Sequence, residues 1–146
     1  MKIGIASDHR GYKLKSKIIR YLNKKKIEVE DFGTTSLDSV DYPKFAFLLG
    51  EAVANQEVDF GIAICGSGIG ISIACNKVKG IRCAKVDTIK EAKMTRLDND
   101  ANILALNGSM SAFRALDIVD TFLKTDFSKK ERHQRRIDEI TSYENK

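Results

Sequence analysis

Cys65 follows a short apolar run, Phe60–Ile64, and leads into Gly66, Ser67, Gly68, Ile69 and Gly70. A cysteine can act as a nucleophile or base once it is a thiolate. Alternating glycines let backbone approach a ligand closely. The first N–H groups of a helix have no partner within it and can hold an anion. The stretch thus has the parts of an anion site with a thiol at its lip. Its spacing is Gly-x-Gly-x-Gly, which is not the dinucleotide fingerprint, and no Gly-Lys-Ser/Thr follows as in a P-loop. A structural turn beside a buried, inert cysteine is the competing interpretation, and this stretch taken alone leaves both open. Asp8 and His9, in the polar loop Ser7–Gly11, are the other groups with chemistry to offer. The two histidines, His9 and His133, are far apart in sequence, so no metal site is expected. The cysteines, Cys65, Cys75 and Cys83, are odd in number and form no CxxC pair, which argues against a disulfide framework.

The elements that must position these groups alternate along the chain. Phe60–Ile64 has no polar interruption and reads as a strand buried on both faces. Ile71, Ile73 and Ala74 then form the packed side of a helix ending near Lys79-Gly80. Upstream, Lys2–Ala6 is a strand, Tyr12–Lys25 a helix, and Ile27–Asp31 a second strand. After a polar loop, Gly33–Asp41, Tyr42-Pro43 opens another helix with Phe45, Leu49, Ala52 and Val53 on one face. Downstream come strand Ile81–Val86, helix Thr88–Leu97, a polar turn at Asp98–Asp100, strand Asn102–Leu106, helix Ser111–Lys124 and a charged helix from about Ser128 to Tyr143. This alternation predicts an α/β fold: a five-stranded parallel sheet with helices on both faces. Such sheets bind ligands beyond the carboxyl ends of the strands, where strand order reverses. If the first strand neighbours the second and third, Asp8 and His9 converge there with Cys65–Gly70.

The chain has 146 residues, which suits one domain over 1–146, and 42% hydrophobic with 31% charged residues is an ordinary soluble composition. It has neither a long apolar segment nor a signal peptide, so a cytoplasmic protein without membrane association is expected. The net charge of +5 raises nucleic acid as a partner. The basic residues fall in two clusters, Lys13, Lys15, Lys17, Arg20, Lys24, Lys25 and Lys26, and Lys129, Lys130, Arg132, Arg135 and Arg136; the first is interleaved with Leu14, Ile18, Tyr21 and Leu22 at helical spacing, as on a solvated helix face, and no nucleic-acid motif accompanies it. Nucleic acid is therefore not the expected partner.

Six segments, in order, resemble the type B ribose-5-phosphate isomerases: SDHRG (7–11), DYP (41–43), ICGSGIGISIACNK (64–77), GIR (80–82), NDANILAL (99–106) and RHQRR (132–136). The wider family includes allose- and galactose-6-phosphate isomerases. The resemblance implies a Rossmann-like three-layer sandwich and a homodimer with shared active sites, with further pairing of dimers left open. It also implies a small sugar phosphate as substrate and no metal or other cofactor. The charged last helix is expected at the dimer interface. By resemblance Cys65 is the base that moves a proton between C1 and C2 through an enediolate. Ser67 keeps the hydroxyl of the family's usual threonine. The N–H groups of Gly66, Gly68, Ile69 and Gly70 form the oxyanion hole. Asp8 and His9 bind substrate, with His9 toward the phosphate. Asn99 reaches into the partner's site, and Arg132 and Arg136, one helical turn apart, suit phosphate. Two positions depart from the pattern: Asp98 stands where the family has a ring-opening histidine, and Ser109 where it commonly has arginine. Ribose 5-phosphate is the expected substrate; a hexose 6-phosphate, or sugar-phosphate binding without catalysis, are the alternatives.

Overall fold

The structure, a computed structural model, describes residues 1–146. The order of elements is β1 (Lys2–Ser7), α1 (Tyr12–Lys24), β2 (Glu28–Asp31), α2 (Tyr42–Ala54), β3 (Phe60–Cys65), α3 (Ile69–Cys75), β4 (Cys83–Lys85), α4 (Ile89–Asn99), β5 (Ile103–Asn107), α5 (Ala112–Lys124) and α6 (Glu131–Glu144). The strands form one sheet in the order β2-β1-β3-β5-β4, and every pairing is parallel. β1 therefore does neighbour both β2 and β3, and the reversal falls between β1 and β3, as expected. No helix is long and apolar enough to cross a membrane.

Two apolar layers cover the sheet, and side-chain alternation along the strands sorts residues between them. Ile62 and Ile64 of β3 face a layer built with Leu14, Ile18 and Leu22 of α1, Ala92 of α4, and Ile118, Val119 and Phe122 of α5. Ala63 and Cys65 face the other, with Ala46, Leu49 and Val53 of α2 and Ile71, Ala74 and Cys75 of α3. The central strands are covered on both faces, which is why Phe60–Ile64 carries no polar residue. α6 packs against α4 at the margin of this sandwich.

Some boundaries differ from expectation for local reasons. α3 stops at Cys75 rather than near Lys79: the Asn76 side chain donates to the carbonyls of Ser72 and Cys83 and accepts from the Cys83 N–H, closing the helix onto β4. β4 is an edge strand of three residues, shorter than Ile81–Val86. Asp98 and Asn99 lie in the last turn of α4, not in a loop. That helix is capped at its start by Thr88 and Glu91 in a reciprocal box. It ends at Asp100, in a left-handed conformation, where Arg96 and Arg82 bind the Asp100 carboxylate and Arg82 also donates to its carbonyl. Ser111 is the N-cap of α5 rather than its first residue, accepting from the Arg114 N–H.

Lys15 is wholly buried although its neighbours on α1 are solvated. Its ammonium donates to Asp31 Oδ1 at 2.5 Å and to the Thr34 carbonyl at 2.6 Å, fastening the loop after β2 against α1. The same loop is joined to the end of β1 through Ser7 N–H to the Gly33 carbonyl and Thr34 N–H to the Ser7 carbonyl. One buried cation thus helps set the segment that runs on to the site.

Candidate active site

Three loops meet at the carboxyl ends of β1, β3 and β5. The Asp8 N–H donates to the Ile64 carbonyl at 3.2 Å, and the Gly108 N–H to the Cys65 carbonyl at 2.8 Å. Cys65 closes β3 and is 4% exposed. Its Sγ accepts the Gly68 N–H at 3.2 Å, so the glycine turn curls over the thiol. Gly68 has φ +78, and a Cβ there would lie 2.8 Å from the Leu106 carbonyl carbon. Backbone conformation and contact both demand glycine. Ser67 Oγ accepts the Ile69 N–H at 3.1 Å, which leaves its hydroxyl hydrogen for another acceptor.

On the β1 side, Asp8 is buried and its Oδ1 accepts the N–H groups of Arg10 and Gly11, at 2.9 and 3.1 Å. This turn sets the start of α1 and the direction of the residues between. His9 Nδ1 accepts the Val40 N–H at 3.2 Å. In the neutral ring the proton is thereby placed on Nε2, leaving a donor for a ligand. Val40 belongs to the loop that Lys15 fastens, so the second crossover tunes a group on the first. Tyr42 is a further neighbour: a Cβ on Gly70 would come within 2.6 Å of its ring.

Asp8, His9, Cys65, Gly66, Ser67, Gly68, Ile69 and Gly70 are thus brought to one crevice. Asn99, Arg132 and Arg136 are not. Asn99 precedes β5, whereas Cys65 pairs with Asn107 at the far end of that strand. The intervening residues Ile103–Asn107 span roughly 13 Å at 3.3 Å per residue. Asn99, Asp98, His133 and Arg136 instead line a separate cavity of about 560 Å³ between α4, α6 and the start of β4. There the buried His133 places Nε2 3.3 Å from Asp98 Oδ1. Arg132, one turn before Arg136, is exposed.

Val40, Tyr42 and His133 lie outside the site groups to which the sequence points. Val40 acts through its backbone N–H, on which its side chain carries no information. His133 carried a faint signal, since it shares helical spacing with Ile137 and both are buried. Cys75 is packed in the layer between α2 and α3, and Cys83 lines the second cavity. The neighbouring Cys75 and burial hold the Cys83 thiol well above the ordinary value of 9.0, so it stays a thiol near neutrality.

A parallel sheet wound in both directions, with a thiol and a tethered imidazole at its point of reversal, defines an α/β enzyme acting on a small polar ligand. Residues 3–140 match the model of the family described as Ribose/Galactose Isomerase, and the chain belongs to that family. The ribose-5-phosphate isomerase B of Escherichia coli is 42% identical over 144 residues, 98% of this chain and 96% of that one. The solved ribose-5-phosphate isomerase B of Clostridium thermocellum is 52% identical, with a TM-score of 0.97, covering 99% of this chain and 98% of its own. That of Mycoplasma genitalium, solved with ribulose 5-phosphate bound, is 44% identical with a TM-score of 0.94, covering 99% and 97%.

Proposed function

We propose that the protein is a homodimeric isomerase that interconverts ribose 5-phosphate and ribulose 5-phosphate without a metal. The observation that carries the reading is the Cys65 sulfur held under the glycine turn, at the same strand ends as His9. Cys65, as the thiolate, takes the proton from C2 of the open-chain aldose. The electron pair forms the C1–C2 double bond of an enediolate. Return of the proton to C1, with transfer of the O2 hydroxyl proton to O1, gives the ketose. The Ser67 hydroxyl and the N–H groups of Gly66 and Gly70 face the developing oxyanion, while the Gly68 N–H stays on the Cys65 sulfur and the Ile69 N–H on Ser67 Oγ, holding the turn in shape. Asp8 orients the sugar hydroxyls, and His9 Nε2–H donates to the phosphate.

The phosphate and the ring oxygen are completed by Asn99, Arg132 and Arg136 of the partner subunit. Two features support this. Those residues lie at the other end of the sheet from Cys65 in their own chain. Ile69 and Ile73, 55% and 56% exposed and one turn apart on α3, offer an apolar surface beside the catalytic turn for a second copy. The three cysteines are free, in keeping with a reducing cytoplasm.

A coupled assay with ribose 5-phosphate tests the reading, alongside loss of the C2 proton to solvent followed by NMR. Turnover with exchange upholds it; a folded dimer that binds ribose 5-phosphate without exchange reduces it to a binding protein. Asp98 and Ser109, at positions where the family has histidine and arginine, favour testing hexose 6-phosphates in the same panel. Turnover of allose or galactose 6-phosphate beside an inert pentose would move the assignment to those sugars.

A further inference from the structure

Arg10 has a place in the crevice that the mechanism above does not use. Its backbone N–H is fixed by Asp8 Oδ1 at 2.9 Å. Its side chain lies across Gly66, the residue after Cys65: a Cβ on Gly66 would fall 2.5 Å from the guanidinium Cζ, 2.6 Å from Nη1 and 2.7 Å from Nε. Any other residue at position 66 would push the guanidinium away. Its carbonyl oxygen abuts the third loop, since a Cβ on Gly108 would lie 2.5 Å from it. Arg10 therefore bridges the loops after β1, β3 and β5, next in sequence to His9.

Arg82 and Arg96, by contrast, spend their donors on carbonyls and on Asp100. The Arg10 guanidinium donates to no protein acceptor and pairs with no carboxylate, although it is held at its root and laid on the turn. A planar fork of N–H donors suits a phosphate group that it can hold by two bonds. Ser109, exposed at the tip of the third loop, brings no charge of its own.

We infer that Arg10 is a phosphate-binding residue of this site, supplying from the β1 loop a cation that closes on the phosphate together with His9. The inference rests on the sugar-phosphate reading above. It also accounts for Gly66 as the space that Arg10 occupies.

The test is Arg10→Met, which keeps the length of the exposed stem and removes the charge, with Arg10→Lys as the conservative variant. Charged hydrogen bonds to a ligand that persist through the reaction act on binding rather than on the chemical step. Arg10→Met should therefore raise KM for ribose 5-phosphate about tenfold or more, with kcat within about threefold of wild type. The Ki of inorganic phosphate as a competitive inhibitor should rise by a similar factor, and Arg10→Lys should recover part of both. KM and Ki within twofold of wild type would overturn the inference, as would a loss confined to kcat, which would place the guanidinium at the reacting carbons instead. If wild type proves inactive, calorimetric titration with ribose 5-phosphate separates the two readings. Binding weakened by Arg10→Met upholds the phosphate role while turnover fails; equal binding by both proteins rejects it; no binding by wild type rejects both.

Discussion

Cys65 is the residue on which the proposed chemistry turns, and its two companions sharpen the prediction. All three thiols are free, yet only Cys65 lies at the strand ends with an N–H aimed at its sulfur. Loss of a general base costs on the order of 10²–10⁴ in rate. Cys65→Ala should therefore lower kcat by that much and leave circular dichroism and oligomeric state unchanged; a tenth of the wild-type rate remaining would remove Cys65 as the base. Cys83→Ser, in a thiol kept protonated by Cys75 and burial, should keep most of the activity. Asp98 offers a second residue-scale test. Its Oδ1 lies 3.3 Å from His133 Nε2, an ion-pair distance when the imidazole is charged. If this pair opens the sugar ring, Asp98→Asn should slow turnover of the cyclic sugar while sparing the step from the open-chain aldehyde. Unchanged kcat and KM would make Asp98 a helix-end residue only, as its place in the last turn of α4 allows.

At the scale of elements, the joints between helix and strand depend on a few charged contacts. Lys15 and Asp31 are unequal partners, with side chains 0% and 42% exposed. Removing Asp31 strands a buried ammonium, whereas removing Lys15 leaves a carboxylate that water reaches. Asp31→Ala should cost about 3 kcal/mol, at the low end for a broken buried pair. Lys15→Met should cost about 1–2 kcal/mol for the unpartnered Thr34 carbonyl. Urea denaturation gives the order; an equal or reversed cost would show that the buried charge does not govern this joint. α1 and α5 are tied at Asp120, which accepts from the Tyr21 hydroxyl at 2.5 Å and from Lys25 Nζ at 2.9 Å. Burial pushes its carboxyl up. The Tyr21 and Lys25 hydrogen bonds, with the charges of Lys25 and Lys124, outweigh that and hold it below the ordinary value of 3.8. A carboxyl lowered in the folded state stabilises fully above its unfolded value, and the contribution is lost as pH falls through the folded one. Wild type should thus exceed Asp120→Asn in Tm at neutral pH, and the gap should close below pH 3.8. A gap independent of pH would mean that packing, not charge, joins the helices there.

For the whole molecule, the separation of the two sets of site residues makes the subunit arrangement testable by activity alone. In a symmetric dimer each site would combine Cys65 of one chain with Arg136 of the partner subunit. Cys65→Ala and Arg136→Ala proteins should each be severely impaired alone. Mixed, unfolded and refolded together, they form heterodimers with one intact site. Random pairing then restores about a quarter of wild-type activity. Recovery absent from mixtures shown to contain heterodimers would mean that each site is built within one chain.

The alternating strands and helices, the parallel sheet and the crevice between β1 and β3 were legible in the order of residues alone. These follow from local periodicity and from the few ways such units can be wound. The same order also carried the glycine turn, because Gly68 answers to a backbone angle that few other residues adopt. Tertiary structure alone decided that Arg10 lies on Gly66, that Val40 orients His9, and that His133 faces Asp98. Each is a meeting of segments distant in the chain, and in two of the three a backbone atom is involved that side-chain identity does not report. It decided, too, that Asn99 and Arg136 lie far from the Cys65 of their own chain. Sequence spacing shows which residues share a helix face; only the winding of β5 between them shows that they stand at opposite ends of the sheet.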